Sequence, residues 1–274
     1  MIAALVLAAV LSAQDALELF APDVVSGPGL FQGSFTPDGQ AFHFFRRIGQ
    51  GENYRLYVTR QQDGEWSPAR QVESPTSDLY PSFSPDGRRM AFISYRPTPG
   101  GALARNATAI WVQGDGGRGE PQWQSAATPR DRYVSTLEHR ADGSLCFRSF
   151  SLDYSDLQFL CARWDGQAYG APEPDDALRG LRGRLPEGKE LGGGVMSPSG
   201  QTLILEIVSR DPATDRLTSD LWRADRQGEA WGDPRPLADE INSPLREAFP
   251  IFSPTGELYF VRDFRDYYRI GRVD

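Results

Sequence analysis

Five times along the chain an apolar stretch stops at a tight turn and restarts as a strand. The stretches are SFTPDGQAFHFFR from Ser34, SFSPDGRRMAFIS from Ser82, HRADGSLCFRSF from His139, VMSPSGQTLILEI from Val195 and IFSPTGELYFVR from Ile251. Their glycines, Gly39, Gly87, Gly143, Gly200 and Gly256, stand 48, 56, 57 and 56 residues apart. A period of this length with short strand patterns points to propeller blades or solenoid units. The runs after the glycines, such as MAFIS, LILEI and LYFV, alternate or are continuously apolar over a few residues, which is strand-like rather than helical. Pro-Asp-Gly is turn chemistry: proline presets φ and glycine accepts positive φ.

Each unit continues in the same order. A polar loop leads to a third strand (YRLYVTR, TAIWVQG, LQFLCAR, SDLWRAD, YYRIGRV), most of which end in a hairpin turn such as Asp63-Gly64 or Asp165-Gly166. A fourth strand follows in EWSPARQV, AYGAPEP and AWGDPRPL. Four antiparallel strands per repeat make one propeller blade. The fifth unit shows three strands before Asp274, and ALELFAP near the start fits as its missing outer strand. The fold expected is all-β: a five-bladed β-propeller of four-stranded antiparallel blades, its ring closed by an N-terminal outer strand that hides two edges.

DLYPSFSPDGRRMAFIS, INSPLREAFPIFSPTGELYFV and DGEWSPARQV resemble the TolB-like β-propeller repeat family, whose units carry a Ser-Pro-Asp-Gly turn. The likeness runs from about residue 15 to the end. It is strong in units one, two and five and weaker in unit three, which lacks the proline, and unit four, where Ser199 replaces the aspartate. The resemblance implies an exported bacterial binding propeller and carries over no catalytic residues.

The N-terminus, MIAALVLAAVLSAQDALELF, holds a ten-residue apolar run from Ile2 to Leu11. It is too short to span a bilayer. It reads as a signal peptide over residues 1–13, cleaved near Ala13, although no Lys or Arg precedes it and the bulky Leu11 stands near the cut. A buried N-terminal element is the alternative. Export places residues 14–274, a single propeller domain, in the periplasm or outside the cell, with no membrane span in the mature chain. The net charge of −8 disfavours nucleic acid and anionic membrane surfaces.

The two cysteines fall on adjacent strands of unit three. A hairpin centred on SLDYSD sets Cys146 across from Cys161, as a disulfide or as two buried thiols. With only His43 and His139 to join them, they do not make a zinc set, and no metal or cofactor is expected.

Propellers bind at the central channel or across the face made by the loops into the inner strands and between second and third strands. Asp78, Glu190 and Glu247 stand just before inner strands, with Glu138 further along one, so these four are the candidate ligands at the channel mouth. They serve a cation, a sugar or a basic peptide, form an acid–base pair for glycoside hydrolysis, or simply solvate the mouth. Arg47, Arg96, Arg210 and Arg265 recur near the ends of second strands, facing Asp156, Asp220 and Asp266 at the starts of third strands. That repetition suggests structural loop clamps. The long loops YRPTPGGALARNAT and SRDPATDRLTSD are candidate partner surfaces, and Asn106 opens a glycosylation sequon. Gly-x-Ser-x-Gly, a phosphate loop and a dinucleotide fingerprint are all absent. The reading is an exported, non-catalytic binding or scaffolding module whose partner is a protein or an envelope glycan. The alternative is a carbohydrate-active hydrolase using channel carboxylates.

Overall fold

The computed structural model describes residues 17–51, 53–101, 103, 107–211 and 214–273. The signal-peptide reading and the Asn106 sequon lie outside the described residues. The strands form five antiparallel sheets, each running inner, second, third, outer. Blade one uses Leu30–Phe35, Ala41–Arg47 and Tyr54–Gln62, with an outer strand split into Glu65–Trp66 and Arg70–Gln71. Blade two uses Asp78–Phe83, Met90–Ser94, Ala109–Gln113 and Gln122–Trp123. Blade three uses Arg132–His139, Leu145–Ser151, Leu157–Ala162 and Glu173–Pro174. Blade four uses Lys189–Met196, Thr202–Arg210, Leu217–Gln227, and the short pieces Ala230–Trp231 and Arg235–Pro236. Blade five uses Glu247–Phe252, Glu257–Arg262 and Asp266–Arg272, and its outer strand is Glu18–Leu19 from the other end of the chain. Glu18 pairs with Arg269 and Leu19 with Tyr268, so the ring closes as the sequence predicts. Prolines break the outer strands, where an edge tolerates the missing N–H, and Pro81 and Pro250 stand at irregularities of two inner strands.

The repeated tripeptide is explained by its hydrogen bonds. In blade two, Arg89 N–H donates to Ser84 Oγ (3.0 Å), Ser84 Oγ–H donates to Asp86 (2.5 Å), and Asp86 accepts from Arg88 N–H (3.0 Å). Blade one repeats this with Thr36 and Asp38. Blades four and five keep the serine and replace the aspartate by Ser199 and Thr255, whose hydroxyls meet Ser197 and Ser253 at 3.0 and 2.8 Å. Blade three has Arg140 in place of the serine, and Ser144 supplies the hydroxyl to Asp142 instead. The five motif glycines all take left-handed φ, from 67° to 87°, which a side chain disfavours.

The blades pack through their faces. The largest core runs through blades five, one, two and three, with Phe42, Phe44, Phe45, Leu30, Ile93 and Tyr267 almost fully buried. Between blades three and four the packing changes. A short helix, α1 (Asp176–Arg182), enters the interface and buries Leu178 and Leu181. Asp175 caps it, accepting from the N–H groups of Ala177 and Leu178. Gly194 makes room: a Cβ there would sit 2.9 Å from Leu178. Cys146 and Cys161 are direct cross-strand partners in blade three, and their sulfurs are bonded.

Candidate functional site at the propeller axis

The four candidate carboxylates do not meet in one cavity. Asp78 and Glu247 occupy the first position of their inner strands, and each is held by an arginine at or just past the end of the second strand of its own blade. Asp78 is 2.8 Å from Arg96 and 2.8 Å from Ser74. Glu247 is 2.8 Å from Arg262 and accepts from Ser243 Oγ at 2.6 Å. Burial raises the pKa of both carboxyls, and these partners pull it part of the way back. Glu190 is exposed, opposite Val208. Glu138 alone of the four lines the axial pocket.

The loop clamps therefore exist, but with other partners than the sequence pairing suggests. Arg96 clamps Asp78 rather than a third-strand carboxylate. Asp156 is bound by Arg132 of the inner strand, which reverses the charges in blade three. Asp220 lies 3.8 Å from Lys189, and Arg210 turns to Asp215 within its own loop. Arg47, Arg265 and Asp266 form no ion pair among the described residues. The reason is geometric. The inner strand sits across from the second strand's end, so the first residue of the inner strand reaches the guanidinium before the third strand does.

A second repeated feature decides what the channel can hold. Every inner strand slips register midway, a β-bulge. The residues four positions before the turn are Gln32, Tyr80, Thr136, Gly193 and Phe249. Tyr80, Thr136 and Phe249 take φ of 51°, 47° and 52°, a conformation costing on the order of 1–3 kcal/mol for non-glycine residues. Packing offsets it: Tyr80 meets Phe45 edge-on at 4.7 Å, and Phe249 lies 5.7 Å from Phe31. On the side of blades three and four the column is small, and Arg148 fills the space. Its Nε donates to Thr136 Oγ1 (2.9 Å) and its Nη1 to the Gly192 carbonyl (2.6 Å). It also approaches Glu206 at 3.6 Å and the Phe249 ring at 5.8 Å. Gln32 of blade one donates Nε2–H to the Leu137 carbonyl of blade three at 2.8 Å. Blades one and three are not neighbours, so this bond crosses the axis and floors the channel.

Above that floor, at the end carrying the Pro-Asp-Gly turns, lies a pocket of about 340 Å³ lined by all five blades. Its walls are Ser34, Ser82, Leu137, Val195 and Ile251, and prolines 37, 85, 198 and 254 ring its mouth. Glu138 accepts from Met196 N–H at 2.6 Å and lies 3.5 Å from Arg140. Arg140 is bound at 2.5 Å by Asp175, the residue that caps α1. Burial raises the Glu138 pKa, and the Arg140 charge opposes the rise. His139 is held between Ser82 Oγ (3.0 Å) and Tyr169 OH (2.7 Å). Burial lowers its pKa to about 3, so the ring is neutral at pH 7. The Asp175 carboxylate and the two cysteine sulfurs lie within 4.8 Å of one another. Because the sulfurs are bonded to each other, they are not thiolate ligands.

Gln32, Arg148, Glu206 and Asp175 were not singled out by sequence reading. Gln32 and Glu206 sit inside repeat strands, where nothing distinguishes a core-facing polar residue from an exposed one. The capping aspartate of α1 did carry a signal, since Asp175 precedes leucines spaced by three and Gly183 follows.

The fold defines the class: a five-bladed β-propeller. No protein-family model matches the chain, and no curated protein does. Solved structures match in shape. A gluconolactonase from Xanthomonas campestris aligns at TM-score 0.51 and 13% identity, covering 95% of this chain and 81% of its own. A TolB-type protein from Agrobacterium tumefaciens aligns at 0.48 and 18%, covering 85% and 69%. An oligogalacturonate lyase from Vibrio parahaemolyticus aligns at 0.44 and 12%, covering 88% and 66%. At these identities the likeness is one of fold.

Proposed function

We propose that the chain is a non-catalytic binding propeller of the TolB-like kind, exported from the cytoplasm, that docks a protein partner on its loop face. One observation carries this. Six large apolar side chains are exposed among the described residues, and five lie at the same end of the ring, four of them on connections. Ile48, Leu152 and Tyr154 belong to loops between second and third strands, Leu217 opens a third strand, and Leu245 precedes an inner strand. Apolar side chains exposed at one end of the ring, with Leu152 and Tyr154 two residues apart on one loop, support an interaction face there. The Ser-Pro-Asp-Gly repeats support the TolB-like reading, and the apolar Ile2–Leu11 run supports export. Among the described residues no helix is long and apolar enough to cross a membrane.

A hydrolase would need two carboxylates flanking a substrate. The axial pocket offers one, Glu138, among the described residues. An envelope glycan is the other occupant that a binding role allows. The test is crosslinked capture from the cell envelope with the wild-type chain and an Ile48→Ser, Leu152→Ser, Tyr154→Ser, Leu217→Ser variant of unchanged melting temperature. A single protein captured by the first and lost by the second is the expected result. Identical capture by both overturns the proposal.

A further inference from the structure

We propose that the pocket at the turn end of the axis is a receptor site for a small alkylammonium ion, separate from the loop face and independent of the reading given there. The first observation is Gln32. Its amide is fixed, because Nε2 donates to the Leu137 carbonyl, and this leaves Oε1 buried with no partner. The residue is only 7% exposed and lines the pocket floor. An unpaired buried carbonyl costs roughly 1–3 kcal/mol, which a ligand N–H donor relieves.

The second observation is charge. Glu138, Arg140 and Asp175 form one buried group with a surplus of one negative charge. Met196 N–H occupies one Glu138 oxygen. The other is 3.5 Å from Arg140, whose Nη1 and Nη2 are given to Asp175. His139 adds no charge, because burial keeps its ring neutral at pH 7. Arg89 has Asp86; beneath the floor Arg148 and Arg246 share Glu206 and leave one positive charge there, so the negative surplus belongs to the pocket side alone. A cation that donates hydrogen bonds complements both the surplus charge and the unpaired carbonyl.

The third observation is shape. Between floor and mouth the walls mix apolar groups, from Leu137, Val195, Ile251 and the prolines, with the serines Ser34 and Ser82. A volume of about 340 Å³ is at the small end of ligand sites. It suits a short alkyl chain with its ammonium head down. Free amines and a protruding lysine side chain present the same group.

Calorimetric titration of the full chain at neutral pH tests the assignment with pentylamine and cadaverine, against 1-pentanol and pentanoate as neutral and anionic matches. The amines are expected to bind at least about tenfold more tightly than either control. Glu138→Gln, which keeps an acceptor for Met196 N–H, is expected to weaken amine binding about tenfold. Gln32→Met is expected to do the same. Ala141→Trp blocks the mouth without touching the polar group and is expected to abolish binding in a chain of unchanged melting temperature. Binding of cadaverine together with a blocked lysine assigns the site to lysine side chains as well; binding of cadaverine alone assigns it to free amines. No heat from either amine at about 10 mM, equal affinity for pentanol, or amine binding unchanged in both Glu138→Gln and Ala141→Trp would overturn the proposal.

Discussion

At the residue scale, the molecule is shaped by polar groups taken out of water. Two histidines are the simplest case. His43 packs edge-on against Phe83 at 4.9 Å, and burial lowers its pKa to about 4. His139 is lowered to about 3 by burial and by Arg89 nearby. Both are neutral in the fold, while an unfolded histidine titrates near 6.5. Their contribution to stability is therefore present above pH 6.5 and lost as pH falls toward their folded values. Each is worth on the order of 1–2 kcal/mol between pH 7 and 5. The carboxyls of Asp78, Glu138 and Glu247 have raised pKa values and act in the opposite sense, gaining stability as pH falls through their folded values toward the ordinary carboxylate range. The melting temperature is expected to drop between pH 7 and 5.5, and less so in His43→Phe. A pH-independent melting temperature across that range would contradict the burial of both rings.

At the element scale, the strand order and the turns were legible in the sequence, because each depends on residues close together in the chain. Ser84, Asp86 and Gly87 set their turn by contacts within five residues. The register across blade three was legible too, since a hairpin on SLDYSD fixes which residues face each other. The bulges were not. Nothing local tells Tyr80 or Phe249 to take positive φ; the facing rings of other strands do. AYGAPEP reads as a full outer strand, whereas only Glu173–Pro174 pairs with the third strand, and the seven residues of helix α1 that follow are too few to show a helical period. The disulfide closes a separation of 15 residues, for which the chain-entropy account gives about 3 kcal/mol. Reduction is expected to lower stability by that order in urea unfolding, and Cys146→Ser to show the same loss without reductant. Equal midpoints for oxidised and reduced chains would show that the bond adds nothing.

At the scale of the whole molecule, closure rests on a few residues from the first strand. Phe20 is buried and meets Phe42, Trp66 and Tyr259 at 5.0–5.2 Å, tying blade five to blade one. Glu18 adds an ion pair to Arg269. Phe20→Ala is expected to cost about 3–5 kcal/mol, as buried aromatic truncations do. Unchanged stability in that variant would mean the ring does not depend on its closing strand. The candidate site shows the limit of sequence reading at this scale. The repeat pattern found residues that recur, of which Asp78 and Glu247 sit in arginine clamps while Glu190 is exposed. Gln32 and Arg148, which set the floor of the pocket, are the residues that break the repeat, and only the ring brings them together.

The closed ring leaves two ends with different surfaces, and the account stands on the loop end being the partner-binding one. Hydrogen exchange of the chain, alone and saturated with the protein it captures, tests this most directly. The account predicts slowed exchange confined to the loops around Ile48, Leu152, Leu217 and Leu245, with the Pro-Asp-Gly turns unchanged. Protection at those turns, or at neither end, would contradict it.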